Sequence, residues 1–553
     1  MDEQYRHPLL ERLRQGLAQG SLSRRSFLRA ATLLGVSAPL AYTMAGQPAR
    51  AGDAAATRPS KTRSGGRLTL GMRVQAVDEP HALGWLSSAN LVHQVCQPLT
   101  WMGFDSVTRP HLLASWRVAP DLRRWDLYLR RDVTWHSGRA FTADDVIWNL
   151  RRLLDPATGS SAVGLMRSYM LDESSGRTRS GPPLWDASAI EKIDDFHVRL
   201  NLKRPQIAVP EHLFHYTNVM LDPDEGGRFG VGSNGTGPFV LAEFDVGERA
   251  LFRAQHGRSA FAAHLDELLL IDLGDESAAV TAALVSGQVD GVDRCDYSVA
   301  ETLADHSDLE VHRTATSATA ILQMDVTRPP FDDPRVRRAM RLAVDPAEIT
   351  RLALRGYGTP AEHHLVAPSH PDYAPLPPMQ RDLAEARRLL AEAGHPGGID
   401  IEMTCKNWPG WEAAAVQVMV EQYREAGIRS TIDILPAARF WEVWDKVPLA
   451  FVEWAPRPLG FMLLGLTVRS GVPWNSTGFS DAAIDQWLLE AESTLDLEAR
   501  RAIMARVEKR MQDVGPMVQP AWLSVVTVMS RRVRGFRLHP TTLLSAADYA
   551  MVN

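Results

Sequence analysis

Apolar and polar residues alternate from Trp125 to Arg130. Trp125, Leu127 and Leu129 fall on one face and Asp126, Tyr128 and Arg130 on the other. A period of two predicts a half-buried strand. Val133 and Trp135 alternate again, and His136-Ser137-Gly138 has the composition of a turn. The period then lengthens. Val146, Ile147, Leu150, Leu153 and Leu154 share one face of a helix, opened by a capping box of Thr142 with Asp145. The stretch predicts a strand, turn, strand and helix. His197 to Leu202 alternates as a further strand, and the Ser-, Gly- and Arg-rich run 160–183 reads as an exposed insertion.

The same reading extends along the chain. Arg67 to Met72 is a first strand, followed by a turn at Val77 to His81. Gly235-Thr236-Gly237-Pro238-Phe239 lacks the Lys and Ser/Thr of a phosphate loop, so a structural turn into a strand is expected. Leu284 to Val292 passes from a helix end into a strand, and an Asp296-Tyr297 turn follows. Asp333 is an N-cap with Pro334 at the first helical position. Behind it Val336, Ala339, Met340, Ala343 and Val344 form a buried face, and the intervening arginines are expected on a solvated one. Asp382 and Glu385 open another helix. A strand over 399–404, a helix over 412–426 and a strand over 430–435 follow, then one long helix from Ala482 through Met511. Final strands are expected around 522–529 and 536–538. Alternating strands and helices imply βαβ units and a parallel or mixed sheet. There is no internal repeat.

At 553 residues the chain exceeds a single core, so two or three domains are expected. A hydrophobic share of 45% and a charged share of 23% describe an ordinary soluble protein. The formal charge of -6 argues against a nucleic-acid footprint. Ser23-Arg24-Arg25-Ser26-Phe27-Leu28-Arg29 matches a twin-arginine export motif; Ala30 to Ala41 is a weakly apolar run, and Ala49-Arg50-Ala51 has A-x-A cleavage chemistry. Residues 1–51 therefore read as a signal peptide and 52–66 as a mobile leader. Removing 1–51 takes away seven Lys+Arg and three Asp+Glu, which leaves a formal charge of -10. No cysteine near the cleavage site can carry a lipid, so no membrane anchor is expected. Cys96, Cys295 and Cys405 are an odd number for an oxidising compartment; one pair could bridge, or all three could be small buried apolar residues.

The run PHLLASWRVAPDLRRWDLYLRRDVTWHSGRAFTADDVIWNL resembles the extracytoplasmic solute-binding proteins of ABC importers, family 5, the peptide, dipeptide and nickel-chelate type. It carries Leu113-Ala114-Ser115-Trp116, Leu129-Arg130, Trp135-His136-Ser137-Gly138 and Thr142-Ala143-Asp144-Asp145-Val146. The GTGPF run and the PPFDDPRVRRAM block agree with the same family. The resemblance implies an α/β, two-lobed periplasmic binding protein-like fold (type II, cluster C) with mixed sheets, a hinge and an extra subdomain on the first lobe. It places lobe one at 67–90, 236–316 and 519–553, the subdomain at 91–235 and lobe two at 317–518. It implies a periplasmic monomer that carries a small-molecule or peptide solute to an inner-membrane permease, without catalysis, cofactor or resident metal.

A closing cleft needs flat apolar walls and partners for polar ligand atoms. Trp408 and Trp411 lie at a helix start in lobe two; Phe440, Trp441 and Trp444 are spaced as core residues of a helix. By the resemblance, His81 ends a loop at the cleft mouth, Tyr297 lies in a lobe-one turn, and Trp474-Asn475 is similar to an aromatic-plus-Asn turn. In peptide binders of the family an acid follows the tryptophan at the position of Trp454 and pairs with the peptide's α-amino group. This chain departs from that pattern, because Arg457 stands there. A guanidinium repels an ammonium and grips a carboxylate or phosphate. An anionic or carboxylate-bearing solute is therefore expected. The alternatives are a metal-chelate scavenger using His93, His111, His363 and His364, and a periplasmic hydrolase. A receptor-coupled or chaperone-like binder would share the fold. For the hydrolase, no G-x-S-x-G or H-E-x-x-H motif is present.

Overall fold

The computed structural model describes residues 9–46, 65–172, 183–257 and 259–552. The expected cleavage site and leader lie outside the described residues. Its centre is an eleven-stranded mixed sheet that runs through both halves of the molecule. On one side Arg67–Gly71 pairs in parallel with Glu267–Ile271 and with Gly291–Val292, and Arg249–Ala254 and Phe239–Asp245 extend the edge antiparallel. On the other, Ile399–Lys406 pairs in parallel with Ile428–Leu435 and joins Leu449–Trp454. Two long strands, Leu309–Met324 and Met517–Ser530, run antiparallel between the halves. Their register slips between Ala315 and Thr319. The molecule is two-lobed, with both lobes on one hydrogen-bonded sheet.

A separate four-stranded antiparallel sheet carries the opening motif: Leu113–Val118, Arg124–Leu129, His197–Asn201 and Ile190–Asp194. Trp125, Leu127 and Leu129 are buried, as the alternation requires. Val133 to Trp135 forms only an isolated bridge, Thr134 to Ala140, in place of the second strand. The helix Ala143–Leu154 starts at Thr142 with both halves of the capping box made. The GTGPF turn packs where no side chain fits: a Cβ on Gly235 would lie 2.0 Å from the Val95 carbonyl oxygen, and one on Gly237 2.6 Å from that of Gln94.

Four further sequence expectations need correction. The run 160–183 is not wholly an exposed insertion, since Ala162–Met170 is a mostly buried helix; 173–182 lie outside the described residues. The long helix is two, Ala482–Ser493 and Leu497–Val514. Asp496 breaks it, because its carboxylate caps Ala499 N–H and starts the second helix afresh. Residues 536–538 form no strand; Val533–Arg534 pairs instead with Ala550–Met551. Lastly, the arginines of helix Pro334–Leu342 do not all face solvent. Arg337 and Arg341 are buried against the end of helix Leu497–Val514. Arg341 is 1% exposed and donates to the carbonyls of Gln512, Asp513 and Gly515 at 3.1, 2.9 and 2.6 Å. Arg337 donates to Val514 O at 3.0 Å. A helix end leaves carbonyls unpaired and partially negative, and two guanidiniums satisfy them here.

The second lobe also buries an acid. Glu508 Oε1 accepts from Ala374 N–H at 3.1 Å, while Oε2 accepts no hydrogen bond and lies 3.8 Å from His364 Nε2. Burial, with Asp372 and Glu362 nearby, pushes its carboxyl up to about 9. The folded state then holds a proton that the unfolded chain releases above the ordinary value of 4.5. The folded state binds more protons, so stability falls as pH rises from there to about 9. Glu508→Gln keeps an acceptor for Ala374 and cannot ionise. Urea titrations should therefore show variant and native chain alike at low pH and the variant more stable at pH 8. The margin should grow by at most about 1.4 kcal/mol per pH unit.

Candidate functional site: a tryptophan row ending at Arg457

Strand Leu449–Trp454 pairs with the crossing strand Leu309–Met324, which puts Trp454 opposite Thr319, beside the register slip. The chain then turns through Ala455 and Pro456 to Arg457. Ser317 Oγ accepts from Arg457 N–H at 3.1 Å and donates to Arg457 O at 2.8 Å. His370 Nε2 contacts the same carbonyl at 2.9 Å. Three polar contacts thus fix the backbone of Arg457 to the crossing strand and to a loop of the second lobe.

The Arg457 side chain is 6% exposed, and among the described residues no carboxylate lies within ion-pairing distance. Its Nη1 donates to Ala455 O and Pro456 O at 3.1 and 3.0 Å, its guanidinium sits 5.4 Å from the Tyr216 ring centre, and Nε has no partner. Burial lowers its pKa, with Tyr216 opposing the shift; an arginine stays charged under these conditions. His215 stands beside it and is pushed well below its usual range by burial first and by Arg457 next. A small cavity of about 30 Å³ lies here, walled by Leu86, Glu211, Phe214, Tyr216, Pro456 and Met462. Glu211 faces the same cavity but does not pair with Arg457, and a buried cation without a paired acid is expensive unless an anion balances it.

From Arg457 a row of aromatic rings crosses the molecule. His215 meets Trp474 at 6.4 Å, Trp474 meets Trp454 at 5.7 Å, and Trp454 meets Trp444 at 5.7 Å. Trp444 meets Trp441 at 6.0 Å, and Trp441 meets Trp85, at the start of helix Leu86–Val92, at 5.5 Å. The indole N–H groups of Trp441 and Trp454 are buried and unpartnered. Unpaired buried donors are uncommon in a finished interior, and here three of them, with Arg457 Nε, belong to one row.

The other residues singled out from sequence lie apart from the cavity or spend their polar atoms elsewhere. Asn475 donates to Val468 O, Arg469 O and Phe479 O and closes its own loop. Tyr297 donates to Ser524 O at 2.9 Å and stacks on Tyr357; burial pushes its hydroxyl pKa up. Trp411 is buried in the second-lobe core against Tyr297 and Phe451. Trp408 is half-buried under the Arg294 guanidinium, which also reaches Glu453 at 3.4 Å. His81 is fully buried, holds Val219 O at 2.9 Å, and is lowered to about 4 by burial. His93, His111, His363 and His364 each serve a separate local contact: Tyr216 O, Gln97, Gln519 N–H and Val366 N–H. Among the described residues, no group of three or more His, Cys, Asp or Glu is placed to hold a metal, and all three cysteines are free. No helix there is long and apolar enough to cross a membrane.

Sequence reasoning passed over Trp85, His215, Tyr216 and Ser317. Of the three residues spaced as core, Phe440 is fully buried, and Trp441 and Trp444 pack half-buried against the same cluster. Spacing cannot distinguish a ring that faces the core from one that faces another lobe.

Two lobes on a shared sheet define the class of protein that binds a small solute between them. Solved structures agree. The fold matches DppA from Helicobacter pylori in complex with peptide STSA at a TM-score of 0.78, with 18% identity, over 88% of this chain and 98% of that one. It matches AgaA from A. tumefaciens R10 in complex with agropinic acid at 0.78, with 21% identity, over 88% and 99%. A curated relative, the glutathione-binding protein GsiB of Pectobacterium atrosepticum, is 25% identical over 455 residues, 79% of this chain and 84% of that protein. The model of the bacterial extracellular solute-binding proteins, family 5, matches residues 108–466. The chain belongs to that family and is the solute-binding component of an ABC importer.

Proposed function

We propose that this protein captures a small anionic or carboxylate-bearing solute between its lobes and delivers it, unaltered, to an inner-membrane permease. The observation that carries the reading is Arg457: a buried guanidinium with no acidic partner, at the end of a tryptophan row with unpaired donors. The tryptophans Trp454 and Trp474, with Trp441, Trp444 and Trp85, supply the flat walls, and Tyr216 and His215 complete the anion pocket. Trp408 lies beyond this row, beside Arg294. The lobes are taken as 67–90, 236–316 and 519–553 for the first, with subdomain 91–235, and 317–518 for the second. Both proposed crossings then fall inside the long paired strands. The protein reaches the periplasm by the twin-arginine route and acts there as a monomer without cofactor.

Agropinic acid and glutathione, named with relatives of this chain, both carry carboxylates, glutathione two against one ammonium, whereas the dipeptide Met-Leu has one carboxylate balanced by its ammonium. Titration calorimetry on protein recovered from the periplasm should show one-to-one binding of one of the two acids and at least about 100-fold weaker binding of Met-Leu. Tightest binding of Met-Leu, or a solute recovered chemically changed, would overturn the reading.

A further inference from the structure

The stretch carrying the export motif is folded onto the body of the protein. It forms helices Leu10–Ala18, Arg24–Leu33 and Ala38–Met44. Phe27 and Ala31 are fully buried, and with Leu10, Leu28 and Tyr42 they share one apolar cluster with Val107 and Leu497. Val107 belongs to the subdomain and Leu497 to the second lobe.

Polar contacts hold both sides. Toward the subdomain, Arg25 donates to Asp105 O and Ser106 Oγ, each at 3.1 Å. Arg29 donates to Ser106 O at 2.9 Å, and Tyr42 to Asp105 Oδ2 at 2.5 Å. Trp116 returns a bond to Leu33 O at 3.2 Å. Gly35 follows with φ of +84°, where a Cβ would lie 2.6 Å from Trp116 O. Toward the second lobe, Ser26, Arg29, Ala30 and Leu33 wall a cavity together with Pro371, Leu459 and Arg500. Arg29 is half-buried there; burial and the neighbouring Arg25 lower its pKa to about 10, opposed by Asp372 of the second lobe and Glu211 of the subdomain.

Subdomain and second lobe also touch directly, where Ile207 N–H donates to Glu492 O at 2.9 Å and Arg167 to Gly471 O at 2.8 Å, and by the proposed division these contacts span the cleft. An element packed on both cannot stay seated while they part. We infer that residues 9–46 act as a strap that holds the two jaws shut for as long as the segment stays attached. The precursor is then locked, and the solute site becomes exchangeable when the strap leaves. This rests on the lobe division proposed above and not on which solute binds.

The test therefore uses no ligand. Hydrogen exchange is compared between the full chain and its Phe27→Asp/Ala31→Asp variant, which places two charges in the buried strap face. The readout is the cleft-facing amides of 86–92 and 440–444, which do not touch the strap. Exchange there should accelerate at least about tenfold, because these segments lose their mutual cover when the jaws part. Acceleration confined to 9–46 and 105–118 would overturn the inference, since the strap would then restrain nothing but itself. Strands 67–71 and 399–406 report integrity of the fold. If they loosen as well, Gly35→Val, which unseats the strap at Trp116 without a buried charge, is read by the same two criteria.

Discussion

Replacing Arg457 by alanine should weaken binding of a carboxylate solute by about 100-fold, or about 3 kcal/mol, while a matched amine of the same skeleton loses nothing. Hydrogen bonds to charged partners contribute about 1.5–3 kcal/mol each. The buried setting raises the effect, because the anion is left without a counter-charge beside the Glu211 carboxyl. Arg457→Lys should recover only part of the loss, since an ammonium cannot reproduce the planar fork. Arg457→Asp should reverse the preference and favour the amine. Calorimetry with the pair on all three variants measures this, and unchanged carboxylate binding by Arg457→Ala would remove the anion reading. The backbone of Arg457 is held by Ser317 and His370 independently of its side chain. The substitution deletes the charge and the side-chain bonds to Ala455 O and Pro456 O, while these backbone contacts remain to hold the loop.

The largest effect on stability is expected at Arg341. Arg341→Leu should lower the unfolding free energy of the second lobe by about 4 kcal/mol, read as a drop in its urea midpoint. The leucine fills much of the volume but leaves the carbonyls of Gln512, Asp513 and Gly515 unpaired in a buried setting. Each such group costs about 1–3 kcal/mol, and removing a buried cation offsets part of the sum. Burial without a bonded carboxylate lowers the Arg341 pKa to about 9. Solute affinity per folded molecule should be unchanged, which separates this role from that of Arg457.

Local chemistry made much of this fold legible. The Thr142–Asp145 capping box, the Asp333 cap and the alternation of Trp125, Leu127 and Leu129 each act within a few residues, so sequence alone specifies them. Arg341 was misplaced because its partners lie about 170 positions away, and an arginine between apolar residues looks the same whether it meets water or a helix end. Asp496 was missed because a long apolar stripe continues past it; only the cap geometry shows the break. At the site, Arg457 stood out as a departure from an expected acid, a signal carried by one residue. Trp85, Tyr216 and His215 carried none, because they gain meaning from the elements that tertiary structure brings opposite them. Tyr297 and Asn475 have ligand-like chemistry, yet their polar atoms already serve the fold.

The shared sheet also dictates how the molecule can open. Leu309–Met324 and Met517–Ser530 are hydrogen-bonded along most of their length, so the halves cannot slide apart and can only swing about this ribbon. Displacement in such a swing grows with distance from the pivot. On the proposed lobe division, Arg457, tethered to Ser317 at the register slip, would sit near the axis and travel least, whereas Trp85 and Trp441, from different halves, would separate early. The arriving molecule would thus find its charge anchor already in position, and the indoles would shut behind it like a door on a spring hinge.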